Sequence, residues 1–108
     1  MSKQTKLAVR DRVAQILQAS LDVAKTVGFN RMTREDIAER AKVSPALITY
    51  HLGTMKSLRR DVMREAIRCE CLPVIAQGIV LGDPHAVKAP RELLSRALAS
   101  LATGEGVR

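Results

Sequence analysis

Two short helical patterns separated by two residues constrain this chain more than any other feature. Residues 33–41 open with the capping-box pattern Thr-x-x-Asp, and residues 44–51 open with Ser-Pro, a cap followed by a proline at the first helical position. Only Lys42 and Val43 separate the two predicted helices. A connection this short makes the helices cross sharply and prevents them from lying antiparallel.

Five small or apolar residues in and after the first of these helices have the spacing that such a crossing needs. Small residues allow close approach, and the apolar residues pin the second helix against a preceding one: Ile37, Ala38, Ala41, Val43 and Ile48. The pattern predicts a helix-turn-helix over about residues 33–52.

The rest of the chain also has helical periodicity. A first helix runs to residue 27 and ends at Gly28, and another begins at Thr54 or Met55 and is ended or kinked by Pro73. Because no alternating strand pattern occurs, the predicted class is all-α. The predicted parts are a helix-turn-helix domain (10–52), a further helix (54–72), a short helical region (73–103, with apolar stripes at 74–81 and 90–102) and a disordered tail (104–108).

The charge of the chain favours a polyanionic partner. Its formal net charge is +7, and residues 1–71 carry 14 Lys and Arg against 8 Asp and Glu, whereas residues 72–108 carry 4 against 3. The sequence has one Phe, one Tyr and no Trp, so bases cannot stack on a row of aromatic rings. Double-stranded DNA is therefore favoured over RNA or single strands.

Several other functions are disfavoured. No segment has the roughly 20 apolar residues of a membrane span, and no signal peptide precedes the first acidic residue, so we expect a cytoplasmic, nucleoid-associated protein. Cys69 and Cys71 point about 200° apart on a helix, and with only His51 and His85 besides, no zinc site is expected. No nucleophile or carboxylate pair accompanies His51, so we expect no enzyme and no cofactor.

The residues of the helix-turn-helix that do not belong to its predicted core form a solvent-exposed face with both hydrogen-bonding and small apolar side chains. It comprises Thr33, Arg34, Lys42, Ser44, Ala46, Leu47, Thr49, Tyr50 and His51. Hydroxyls and amides at helix starts grip phosphates, while side chains near the start of the second helix reach base edges in the major groove. We expect Pro45, Ala46, Leu47 and Tyr50 to read bases through thymine methyls and DNA shape, and Arg34 and Lys42 to contact phosphate.

Residues 12–68 resemble the N-terminal domain of the tetracycline-repressor family of bacterial transcriptional regulators. The similarity is carried by Ile16-Leu17, Ala19, Leu21, Gly28, Thr33, Ile37-Ala38, Ala41, Val43-Ser44, Tyr50-His51 and Leu58. The resemblance implies a three-helix helix-turn-helix DNA-binding domain (10–52) followed by a linking helix (54–72), and a homodimer that binds a palindromic operator. Residues 73–103 would then form a short dimerisation region.

The chain departs from the family's usual residues at several positions. It has Lys42 and Ala46 where the family usually has Gly, and Thr49, Leu52 and Met55 replace common Tyr, Phe and Lys. A left-handed Lys42 would cost roughly 1 kcal/mol. We expect Lys56 to take over the backbone contact of the family's usual Lys.

Family members typically continue into a long ligand-binding and dimerisation domain, but about 37 residues follow Cys71 here. We therefore expect no small-molecule pocket and a dimer formed by the apolar stripes 74–81 and 90–102. The favoured function is a dimeric repressor. The alternatives are a protein-interaction module, such as an antirepressor or adaptor, and a DNA-binding protein of plasmid or phage partition or replication.

Overall fold

The computed structural model describes residues 8–103, and this range contains helices and no strands. The helices are α1 (Val9–Val27), α2 (Arg34–Ala41), α3 (Pro45–Leu52), α4 (Met55–Arg68), α5 (Leu72–Leu81), α6 (Pro84–Val87) and α7 (Arg91–Thr103). None of them is long and apolar enough to cross a membrane. The all-α prediction is confirmed, while the predicted tail 104–108 lies outside the described residues.

The first three helices begin and end where their local signals predict. Gly28 ends α1 at a φ of 111°, and its N–H donates to the carbonyl of Ala24. The Thr33 hydroxyl accepts from the N–H of Asp36, whose carboxylate accepts in return from the N–H of Thr33, so the capping box of α2 is complete. The Ser44 hydroxyl caps α3 by accepting from the N–H of Leu47.

The chain after residue 68 differs from the prediction. Helix α4 ends at Arg68 rather than near residue 72, because Glu70 takes a left-handed conformation with a φ of 57°. Pro73 consequently lies in the first turn of α5, where its missing N–H costs nothing, and does not kink α4. The predicted turn at residues 82–84 contains the start of a further helix, α6, capped by Asp83.

The C-terminal helices pack onto α1 and α4, the helices that flank the helix-turn-helix. Helix α5 contacts α1, α4, α6 and α7. Five residues of the apolar stripes predicted for dimerisation are buried in the core of the single chain: Val74, Ile75, Ala76, Leu93 and Ala97. Ile79, Leu94 and Leu101 are partly buried against this core. Burying these side chains within one chain removes more apolar surface from water than leaving them exposed for a partner would.

Candidate nucleic-acid interface

Helix α3 separates a buried face from an exposed one. Ile48 is fully buried and Leu52 is 4% exposed, so these two side chains anchor α3 in the core. On the other side Tyr50 is 79% exposed. The remaining exposed residues of this face are Pro45, Ala46 and Thr49, while Leu47 and His51 are half-buried at its edge. The face thus presents mainly small or apolar groups with one aromatic hydroxyl.

The rings of Tyr50 and His51 are in contact at the end of this face. Their rings meet edge to face with centroids 4.9 Å apart and an interplanar angle of 82°. Such a contact restricts both rings without burying the Tyr50 hydroxyl. The Thr49 hydroxyl lies near the carbonyl of Pro45 at 3.5 Å, the outer limit for a hydrogen bond, and remains exposed.

The helix starts lie at the surface with their caps in place. Thr33 and Ser44 are both exposed, and each hydroxyl oxygen lies 3.1–3.2 Å from the backbone nitrogen that it caps. Because capping uses the hydroxyl oxygen as acceptor, its O–H remains able to donate to an anion. The prediction that these groups lie at exposed helix starts is therefore confirmed, whereas phosphate binding by them stays a prediction.

The turn between α2 and α3 places a lysine in a strained conformation. Lys42 has φ 64° and ψ 43°, as predicted for the left-handed region, and its side chain is exposed. Several hydrogen bonds hold the turn. The Val43 N–H donates to the carbonyl of Ala38 at 3.0 Å, the Lys42 N–H donates to the carbonyl of Glu39 at 3.4 Å, and the Gln15 amide of α1 donates to the carbonyl of Ala41 at 3.0 Å. The ammonium group therefore projects from a rigid backbone.

Arg34 is held more tightly than a solvated arginine. Its Nη2 lies 3.4 Å from the carbonyl oxygen of Gly53, and its Nε is buried without a hydrogen-bond partner. The guanidinium therefore links the start of α2 to the connection between α3 and α4. Its predicted contact with phosphate would have to use the remaining Nη groups.

The start of α4 presents a second lysine beside α3. Lys56 is exposed in the first turn of α4, which the Thr54 hydroxyl caps by accepting from the N–H of Ser57. In the described part of the chain, Lys42 and Lys56 form no ion pair, whereas Arg40 is paired with Asp22 of α1 at 3.0 Å. These two lysines, which form no ion pair, thus lie at the turn before α3 and on the helix after it.

The far end of α4 has a different character. Arg68 donates hydrogen bonds to Glu65, which lowers the pKa of Glu65 below its usual value. Burial raises the pKa of the Cys69 thiol. A raised pKa keeps the thiol protonated at neutral pH, which is unlike the low-pKa thiolate that a nucleophilic cysteine needs.

Two glutamines that hold the backbone behind this interface could not be predicted from the sequence. Gln15 bonds to a carbonyl 26 residues away, and the Gln77 side chain of α5 accepts from the N–H of Phe29 and donates to the carbonyl of Ala24. Neither residue stands in a motif, because the partners are backbone atoms brought close only by the fold. No local signal could have identified them.

Helices α2 and α3 cross at a buried contact, and one face of α3 is exposed between Lys42 and Lys56. This arrangement is that of a helix-turn-helix DNA-binding domain of the kind found in transcription regulators. Residues 16–62 match the family model of the bacterial regulatory proteins of the tetR family. Residues 16–62 are thus similar to the N-terminal DNA-binding domain of this family, which confirms the resemblance seen in the sequence. Comparisons with curated proteins and with solved structures gave no match.

Proposed function

We propose that this chain is a dimeric transcriptional repressor that binds a palindromic operator in double-stranded DNA. The observation that carries the proposal is the exposure of Pro45, Ala46 and Tyr50 on α3 while Ile48 and Leu52 anchor the same helix in the core. A helix presented in this way fits the major groove. A protein bound at a promoter most simply acts by blocking polymerase, and it would do so at the nucleoid in the cytoplasm.

The proposed contacts fall into two groups. Pro45, Ala46, Leu47 and Tyr50 read base edges, and their small or apolar side chains favour thymine methyl groups over bidentate contacts to guanine. The positioning contacts to phosphate come from the exposed hydroxyls and lysines around α3 together with two half-buried side chains, Arg34 and His51: Thr33, Arg34, Lys42, Ser44, Thr49, His51 and Lys56. Unpaired lysines support this assignment because they lose no protein partner when they meet DNA.

We propose a second copy of the chain as the partner of the C-terminal helices. Although α5 and α7 each contribute buried side chains to the core, Val80 is 70% exposed and Leu98 is 48% exposed. Leu81 and Val87 are also exposed, so four of the seven large apolar side chains that are exposed in the described chain lie between residues 80 and 98. A two-fold pairing through these residues would set the spacing of two half-sites.

We also propose that residues 72–102 act without a drug-sized ligand inside them. Their buried side chains, including Val74, Ile75, Ala86 and Ala97, are 0% exposed and fill the space between α5, α6 and α7. A ligand of ordinary size needs a preformed cavity of several hundred Å³. Thermal-shift screening and calorimetric titration with apolar ligands test this proposal. An apolar ligand that binds and raises the melting temperature of the protein would contradict it.

The experiment that tests the proposed function is footprinting on the DNA upstream of the chain's own gene, against random DNA and over a salt series. A protected palindrome bound roughly a thousandfold more tightly than random DNA would support it. Uniform, strongly salt-sensitive binding without a footprint on that DNA or on selected random sequences would contradict it. That result would favour a protein partner for this surface.

A further inference from the structure

A basic cleft lies between the linking helix and the C-terminal helices. It has a volume of about 290 Å³ and is lined by Thr54, Lys56, Ser57, Arg59 and Arg60 of α4 and its cap, and by Asp83, Pro84 and His85 at the start of α6. Residues 83–85 lie outside the part of the chain that matches the family model, which ends at residue 62. The cleft is therefore formed jointly by the family-matched segment and by the C-terminal helices that follow it.

The charges in the cleft are unbalanced. Arg60 is paired with Asp61 at 3.1 Å, but Lys56 and the half-buried Arg59 form no ion pair in the described part of the chain. A half-buried guanidinium without a carboxylate has lost part of its hydration and gains nothing in return within the protein. An anion in the cleft would compensate it.

The one carboxylate that lines the cleft is already engaged. Asp83 Oδ1 accepts from the backbone N–H groups of His85 and Ala86 at 2.9 and 3.0 Å, and its side chain is 14% exposed. These two amides partly offset its charge. The same oxygen lies 4.0 Å from Nδ1 of His85, which is beyond hydrogen-bond distance, so Nε2 of a neutral His85 can carry the N–H that a phosphate oxygen accepts.

We propose that this cleft binds a phosphate group, and that the phosphate belongs to the backbone of the bound DNA next to the segment read by α3. Arg59 and His85 would hold it together with Lys56. Arginine suits phosphate because its planar fork donates two parallel hydrogen bonds. The assignment to DNA follows from Lys56, which lines the cleft and is also one of the two unpaired lysines beside α3. The inference rests on the proposed DNA binding and extends the interface to α6.

The test compares Arg59→Gln and His85→Gln with Arg64→Gln, an exposed arginine of the same helix that does not line the cleft. We expect Arg59→Gln to weaken binding to specific and random duplexes alike by about three- to tenfold and to reduce the salt slope by about 1. His85→Gln should have a smaller effect in the same direction, and Arg64→Gln should bind like the wild type. Circular dichroism and thermal unfolding check that all variants fold.

A second measurement uses inorganic phosphate without DNA. Adding phosphate against chloride at equal ionic strength should shift the amide NMR signals of Ser57 and His85 in the wild type and leave them unshifted in Arg59→Gln. If phosphate shifts these signals but Arg59→Gln keeps full DNA affinity, the site holds a free phosphate compound, and its assignment to DNA is wrong. If DNA binds the wild type and neither measurement responds to Arg59→Gln, the cleft is not an anion site, although the proposed function stands.

Discussion

Lys42 combines backbone strain with an exposed charge beside α3, the helix that we propose reads DNA. An L-residue in the left-handed region costs about 1–2 kcal/mol, and Lys42 has no side-chain partner in the described chain that would offset this. The turn is nevertheless kept in place by Val43 and by Gln15. The backbone strain therefore arises because the residue at position 42 has a Cβ atom, and a glycine could form the same turn without it.

Replacing Lys42 should separate the strain from the charge. Lys42→Gly should stabilise the fold by about 0.5–1 kcal/mol, the relief of strain less the added entropy of the unfolded chain. Lys42→Gln removes the charge but keeps the strain, so its free energy of unfolding should equal that of the wild type. Both variants should weaken DNA binding to the same extent. Urea denaturation measures the free energy of unfolding of each variant. If Gly and Gln stabilise the fold equally, backbone strain at Lys42 is not the cause of the stabilisation.

Leu47 and Lys56 should affect DNA binding in different ways. Leu47→Ala should change which sequences are preferred more than it changes overall affinity, since Leu47 is assigned to base edges. Lys56→Ala should weaken all sequences alike and reduce the salt slope by about 1, since it is assigned to phosphate. Binding selections on random duplexes and a salt titration measure the two effects. The opposite pattern would mean that α3 sits differently on DNA.

At the scale of the elements, α5 connects the C-terminal helices to the DNA-binding domain. Its Gln77 side chain bonds to two backbone groups at the end of α1, and its Gly78 lies against α4 and α6. The first contact satisfies polar groups and the second permits close packing. Both depend on where α5 lies and not on its own helical propensity.

Removing the Gln77 bonds should destabilise the whole domain. Gln77→Leu leaves a partly buried N–H of Phe29 without its partner, which should cost about 1–3 kcal/mol in the free energy of unfolding. Gln18→Leu, an exposed glutamine of α1 without a hydrogen bond in the described chain, is the matched control and should cost little. Hydrogen exchange at Phe29 should accelerate in Gln77→Leu alone. Unchanged exchange there would show that the bond does not hold the end of α1.

A methyl group at Gly78 should also destabilise the protein. A Cβ at this position would lie 2.4 Å from the terminal methyl of Met63, which can move, and 2.7 Å from the Cβ of Ala86, which is fixed to its backbone. Gly78→Ala should therefore cost about 1–3 kcal/mol, although the same change in an open helix stabilises by about 0.5–1 kcal/mol. Adding Ala86→Gly should recover part of the loss in a double-mutant cycle. A stabilised single variant would contradict the close packing.

At the scale of the whole molecule, the C-terminal helices serve the single chain and, in our proposal, the dimer. Their buried stripes join the common core, and the exposed Val80 and Leu98 are left for a second copy. Leu98→Lys should therefore shift a dimer toward monomers and weaken binding to a palindrome without unfolding the chain. Val27→Lys, an exposed apolar residue of α1, is the control. Sedimentation of a wild-type monomer at micromolar concentration, on and off DNA, would overturn the dimer.

The sequence by itself determined the features that depend on neighbours in the chain. The caps at Thr33 and Ser44 and the end of α1 at Gly28 follow from residues within four positions, so the helix-turn-helix and its exposed face could be predicted. The left-handed turn at Lys42 was predicted only from the Gly that the resembled family usually has at this position. Only the tertiary structure decided the inward packing of α5 and α7, the Gln77 contacts and the cleft that joins Arg59 to His85. These depend on groups up to 53 residues apart, and periodicity shows that a helix has an apolar face without showing what covers it.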